Sequence, residues 1–130
     1  SFADEHNIAY KPLDDLLSQS DIISIHLNLT NETNSLIGKE KLKLIKKSAI
    51  LINTSRGEIL DEDAILKCMK DGLISGVGLD VFIKEPYSGL LTTFDNAILT
   101  PHISAYAKEI RIKMELESSK NLIKGLLYEI

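Results

Sequence analysis

Ser48-Ala-Ile-Leu-Ile-Asn53 is an apolar run rich in isoleucine that ends in Thr54-Ser55-Arg56-Gly57. Asp61-Glu62-Asp63 follows as an N-cap and an acidic first turn, which suits the positive end of a helix dipole. Ile65, Cys68 and Met69 then fall at i, i+3 and i+4 on one helical face, up to about Asp71, where Gly72 stops the helix. Ile74 to Asp80 is a second apolar run of strand length. Strand, helix and strand at this spacing form a crossover unit, and crossover units build parallel sheets.

The same alternation extends in both directions. Upstream, Asp21-Ile-Ile-Ser-Ile-His26 reads as a buried strand. It is followed by Thr33 to Ile45, whose Leu36, Ile37, Leu42 and Ile45 have helical spacing. Leu13 to Leu17 predicts one helical turn, and Ile8 to Tyr10 a short strand. Downstream, Ala97 to Thr100 predicts a fourth strong strand, and Ala107 to Leu127 a long helix with an imperfect apolar stripe. Tyr87 to Thr93 reads as a surface loop. The fold class is therefore α/β with a parallel sheet.

Composition narrows the function classes. The 130 residues are 44% hydrophobic and 26% charged, which supports one domain with a real core. The formal charge is −4, with Lys and Arg scattered among Asp and Glu, so neither nucleic acid nor a membrane surface is an expected partner. The Lys-rich run Lys39 to Lys47 reads as the wet side of an amphipathic helix. No apolar run approaches the ~20 residues that span a bilayer. Cys68 is the single cysteine, which excludes an internal disulfide, and its place in the helical stripe reads as a core thiol. One cysteine and no leader peptide predict a cytoplasmic protein. No metal site is expected.

In open parallel sheets, ligands sit beyond the carboxyl ends of the strands. That rule gathers His26, Arg56, Asp80 and His102 at one crevice. An arginine beside Gly57 can present a planar fork to a carboxylate. A histidine after Pro101 can trade a proton near neutral pH. Glu85, if it reaches that histidine, favours the imidazolium and fixes the ring. Such a set can bind a 2-hydroxy acid and move its hydroxyl proton. None of these side chains can accept a hydride, so a cofactor is implied.

Asn53-Thr-Ser-Arg-Gly-Glu-Ile-Leu-Asp-Glu62 resembles a signature of the D-isomer-specific 2-hydroxyacid dehydrogenases, a family that includes D-3-phosphoglycerate dehydrogenase. Gly78-Leu-Asp-Val-Phe82 with Glu85-Pro86 resembles a second signature, and Leu99-Thr-Pro-His-Ile-Ser104 a third. Ser20 to Thr30, with Thr33 and Leu36-Ile-Gly38, is similar to the strand and loop that precede them. The resemblance implies that Arg56 binds the substrate carboxylate, that His102 is the acid/base, and that Glu85 pairs with His102. It also implies that Asp80 holds the nicotinamide carboxamide, a reading favoured inside Gly-Leu-Asp-Val over a plain strand-end cap. Leu27, Thr54, Ser55 and Arg56 would line the nicotinamide half of the cofactor site, and the loop of His102, Ser104 and Ala105 would close over the ring. The cofactor implied is NAD, with NADP left open. The substrate is a small 2-hydroxy or 2-keto acid, and the full-length protein is a homodimer.

Three departures qualify the resemblance. Asn28 stands where the family usually has proline, and Ser104 where glycine is common. The third is larger: the chain contains no Gly-x-Gly-x-x-Gly, the loop whose amides hold the cofactor pyrophosphate at a helix N-terminus. The expected fold is thus a partial Rossmann-like doubly wound sheet without its first two strands and Gly-rich loop. Residues 1–130 read as the C-terminal portion of a NAD-binding domain, with the substrate domain absent. A fragment of a longer protein is expected ahead of a truncated gene product or a piece paired with another copy. The fragment alone is expected to be inactive. Two other function classes share the signatures: a nucleotide-sensing interaction protein of the C-terminal-binding corepressor type, and an inactive remnant.

Overall fold

The computed structural model describes residues 2–128. Four strands form one parallel sheet in the order β1 (Ile22–Ile25), β2 (Ile50–Asn53), β3 (Gly76–Leu79) and β4 (Ala97–Leu99). The helices are α1 (Phe2–Glu5), α2 (Leu13–Gln19), α3 (Lys39–Leu42), α4 (Glu62–Lys70) and α5 (Lys108–Tyr128). Among these residues no helix is long and apolar enough to cross a membrane.

Each strand lies beside its successor, and right-handed crossovers between such neighbours place every connection on the same face of the sheet. The register shows the consequence. Ile23, Leu51, Val77 and Ala97 form one row, and Ile25, Asn53, Leu79 and Leu99 the next. These rows face the helices and the core, which also includes Leu17, Ile59, Ile65 and Leu91. The alternate row faces away, so that Ile22 and Ile98 remain 65% and 73% exposed. As the alternation of elements predicts, the sheet is parallel, and β1 is a free edge.

The helix read between Asp61 and Gly72 is present with both expected stops. The Asp61 carboxylate accepts the Ala64 amide at 3.0 Å, a cap worth about 1 kcal/mol. Gly72 has φ +60°, and the Leu73 amide returns to the Cys68 carbonyl at 2.9 Å. Ile65 and Met69 are buried and Cys68 is half-buried, as the stripe requires.

Three expectations need correction. Thr33 to Ile45 is not one helix: only Lys39–Leu42 is helical. The backbone of Ile37 is taken by Leu60 in an isolated parallel bridge, and the Ser35 amide by the Glu58 carbonyl, so tertiary pairing overrides the apolar spacing. Ile8 to Tyr10 is not a strand and is not part of the sheet. Tyr87 to Thr93 is not wholly a surface loop. Tyr87 stacks on Phe82 at 4.3 Å, and Leu91 is fully buried within a 3₁₀ turn, Leu90–Thr93. The long last helix forms, but its Ile110, Met114, Leu116 and Leu122 are all exposed.

Candidate active site

Two loops at the carboxyl ends of β2 and β3–β4 carry the residues selected from the sequence, and each is tied down by a buried polar side chain. Asn53 ends β2 with no exposed surface. Its Oδ1 accepts the Ser55 amide at 3.0 Å and the Ser55 hydroxyl at 2.8 Å, while its Nδ2 donates to the Arg56 carbonyl at 2.8 Å. Asp80, just after β3, is 4% exposed. Its Oδ1 accepts the Thr100 hydroxyl at 2.6 Å and the Ile103 amide at 2.9 Å, and its Oδ2 accepts the Ser104 amide at 2.9 Å. His102, between these donors, has φ +56°, a left-handed conformation costing a non-glycine residue about 1 kcal/mol that the flanking bonds hold in place.

Burial by itself would raise the Asp80 pKa. The bonds from Thr100, Ile103 and Ser104 outweigh it and hold the carboxyl at about 2, against an ordinary 3.8. A carboxyl lowered in this way contributes its full stabilisation above 3.8, and the contribution is lost as pH falls through about 2. It is worth about 2 kcal/mol. The melting temperature of the wild type should therefore fall between these pH values more steeply than that of Asp80→Asn. Parallel melting curves would assign no such role to Asp80.

Glu85 reaches His102. Its Oε2 lies 2.9 Å from His102 Nδ1, and its Oε1 accepts the Phe82 amide at 3.0 Å. The bond to His102 first, and then the Phe82 amide, hold the Glu85 carboxyl below the usual carboxylate range. Because Nδ1 is engaged, Nε2 is the ring nitrogen left for a substrate.

Arg56, Glu85 and His102 line one hollow of about 240 Å³, together with Gly57, Glu58, Val81, Phe82 and Ile83. A second hollow of about 500 Å³ is lined by His26, Leu27, Asn28, Leu29, Ser55 and Arg56. Arg56 is the wall the two share, and its Nη1 donates to the Ser55 carbonyl at 2.6 Å. The sequence-selected trio is therefore brought together, with Leu27 and Ser55 in the adjoining hollow. Thr54, Asp80, Ser104 and Ala105 are not among the residues lining either one. Thr54 is exposed at the end of β2, and Ser104 and Ala105 follow His102 on the loop that Asp80 holds. His26 bonds the Ser24 hydroxyl at 2.8 Å and faces the second hollow, away from the Glu85–His102 pair.

The trio meets because two backbones come very close. A Cβ on Gly57 would stand 2.2 Å from the Phe82 carbonyl carbon and 2.6 Å from the Ile83 nitrogen. Gly57→Ala must push the Phe82–Glu85 segment away from the Arg56 loop. We expect a loss of about 2 kcal/mol, read as a lower melting temperature, with weaker substrate binding alongside. Unchanged stability and binding would mean that the contact has slack.

Sequence reasoning missed three participants. Asn53 was legible only as a strand end, yet it shares parity with Ala49 and Leu51, which places an amide on the core face. Glu62, read as a first-turn residue, also accepts the Ile83 amide at 2.7 Å, a contact across 21 positions that no local pattern signals. Glu58, given no role of its own within the Asn53–Glu62 signature, lines the hollow of the trio.

The second hollow lies at the ends of β1 and β2, borders the trio through Arg56, and combines apolar Leu27 and Leu29 with polar Ser55 and Asn28. That lining suits the nicotinamide end of a dinucleotide.

Residues 1–104 match the family model of the D-isomer specific 2-hydroxyacid dehydrogenase, NAD binding domain. A glyoxylate reductase of Aeropyrum pernix is 47% identical over 116 residues, which are 88% of this chain and 35% of that protein. The crystal structure of D-lactate dehydrogenase from Aquifex aeolicus complexed with NAD and lactic acid is 33% identical, with a TM-score of 0.82 over 100% of this chain and 45% of that one. A D-isomer specific 2-hydroxyacid dehydrogenase from Xanthobacter autotrophicus, in complex with NADPH and MES, is 36% identical, with a TM-score of 0.68 over 70% of this chain and 30% of that one. The chain spans about a third of the length of the curated relatives it matches.

Proposed function

For a chain that belongs to the D-isomer-specific 2-hydroxyacid dehydrogenases through their NAD-binding domain, we propose that it carries the reacting side chains of an NAD(P)-dependent oxidoreductase of D-2-hydroxy and 2-oxo acids. The observation that carries the proposal is the hollow in which Arg56 faces the hydrogen-bonded pair Glu85–His102. Residues 1–130 are read as the C-terminal portion of the NAD-binding domain. The 130 residues contain no Gly-x-Gly-x-x-Gly to hold a cofactor pyrophosphate, so by themselves they are expected to be inactive.

Bound nicotinamide supplies or accepts the hydride. Arg56 holds the substrate carboxylate through its planar fork and keeps the 2-oxygen turned toward His102. In reduction, His102 Nε2 would give its proton to the substrate 2-oxygen. Glu85, on Nδ1, fixes the ring and leaves Nε2 facing the substrate. In oxidation the same nitrogen removes the hydroxyl proton. Leu27, Thr54 and Ser55 form the nicotinamide side, with Ser104 and Ala105 closing from the other loop. Asp80 Oδ2, which accepts the Ser104 amide, keeps a lone pair for the carboxamide.

The protein is read as cytoplasmic and homodimeric, with a small acid as its partner and no nucleic acid. The corepressor and remnant readings gain no support from the relatives named above, which are a reductase and dehydrogenases. The test is consumption of NADH or NADPH, with glyoxylate, pyruvate and hydroxypyruvate, by a full-length protein in which these residues are joined to a Gly-rich loop and a substrate domain. Turnover of at least one is expected, and failure with all three under either cofactor would refute the assignment.

A further inference from the structure

We propose that Asn53 is a positioning residue that aims Arg56 at the substrate carboxylate, an inference that rests on reading this hollow as an acid-binding site. Asn53 stands in the buried row of Ile25, Leu79 and Leu99, where an apolar side chain would pack with no polar group to satisfy. An amide buried there is unfavourable unless its bonds are made. Its side-chain bonds converge on one place, the turn Ser55–Arg56. The turn in turn holds the arginine, because the Ser55 carbonyl accepts Arg56 Nη1 at 2.6 Å. A continuous path of hydrogen bonds therefore runs from the end of β2 to the guanidinium, and the guanidinium is the wall between the two hollows.

The residue type is specified from both ends of the amide. Oδ1 must accept, since it meets the Ser55 amide and hydroxyl. Nδ2 must donate, since it meets the Arg56 carbonyl. Aspartate keeps the first function and loses the second, placing a carboxylate oxygen against a carbonyl oxygen. Leucine keeps the shape and loses both. Serine keeps a hydroxyl but lacks the reach to the Arg56 carbonyl. Asn53 touches neither hollow, so any effect on acid binding must pass through the turn.

The test is calorimetric binding of oxamate, an unreactive 2-oxo acid mimic, to the NADH-loaded full-length protein. Wild type, Asn53→Asp, Arg56→Ala and the double variant are compared, with melting temperatures recorded for each. Asn53→Asp should weaken oxamate about tenfold, the loss of one well-placed hydrogen bond. Arg56→Ala should weaken it about a hundredfold, and the double variant should be no weaker than Arg56→Ala. Asn53→Ser replaces Asn53→Asp in the cycle if the latter does not fold, and the same non-additivity is expected. An Asn53 variant that binds oxamate like the wild type overturns the proposal, whatever its melting temperature. So does an additive double variant, which would mark Asn53 as a merely structural amide, and so does a wild type that does not bind oxamate. A wild type that binds oxamate yet reduces no 2-oxo acid would refute the reductase reading while leaving this inference standing on the binding cycle.

Discussion

His102→Ala should lower kcat about a thousandfold, with the affinity for NAD(P)H nearly unchanged. The size follows from what else the hollow holds. Arg56 keeps its protons in proteins and cannot act as an acid at neutral pH. Glu85 has a carboxyl held below the usual range by His102 and the Phe82 amide, so it is ionised and has no proton to give. Removing His102 therefore leaves only water to protonate the 2-oxygen as it becomes negative. The loss should appear in kcat and kcat/KM alike, the pattern of an interaction made in the transition state. Glu85→Gln should cost less, because the amide can still orient the ring at Nδ1. Steady-state kinetics with matched melting curves would decide it. A variant with wild-type kcat would remove His102 from the chemistry.

Arg56→Ala should lower kcat/KM for the acid by two to three orders of magnitude, about 3 to 4 kcal/mol of lost binding and orientation. Most of that should appear as a higher KM, because the carboxylate is held in the ground state as well as the transition state. Lysine should restore little. A single ammonium replaces one charge, but it cannot reproduce a planar fork or the bond to the Ser55 carbonyl that fixes the side chain in this structure. Since Arg56 is also a wall of the second hollow, a smaller change in NAD(P)H affinity is expected. If Arg56→Ala left KM for every 2-oxo acid unchanged, the carboxylate would have to bind elsewhere.

Elements whose signals are local were legible before any coordinates. The helix from Asp61 to Gly72 announces its cap, its stripe and its stop within one window, and each is found where expected. The parallel sheet follows from alternation, and the meeting of Arg56, Glu85 and His102 follows from strand-end geometry supported by family resemblance. Long-range pairing was not legible. Thr33 to Ile45 has helical spacing, but Ile37 is drawn into a bridge with Leu60, and nothing near Ile37 says so. Glu62 looks like any acidic first-turn residue until Ile83 arrives beside it. Asn53 was hidden for a different reason. At a strand end an asparagine reads as the start of a turn, and its burial becomes visible only once the register puts it between Ile25 and Leu79. Asp80 likewise reads as a cap or a cofactor ligand, whereas the structure shows three donors from the His102 loop converging on it.

On the proposed reading, Arg56 and His102 grip opposite ends of one small acid. A crystal structure of the protein with NAD and a D-2-hydroxy acid would measure this most directly. The account predicts the carboxylate on the Arg56 guanidinium and the 2-hydroxyl on His102 Nε2, each at about 3 Å, with Glu85 still on Nδ1. An acid bound with its hydroxyl out of reach of His102, or with its carboxylate held by residues other than Arg56, would contradict it.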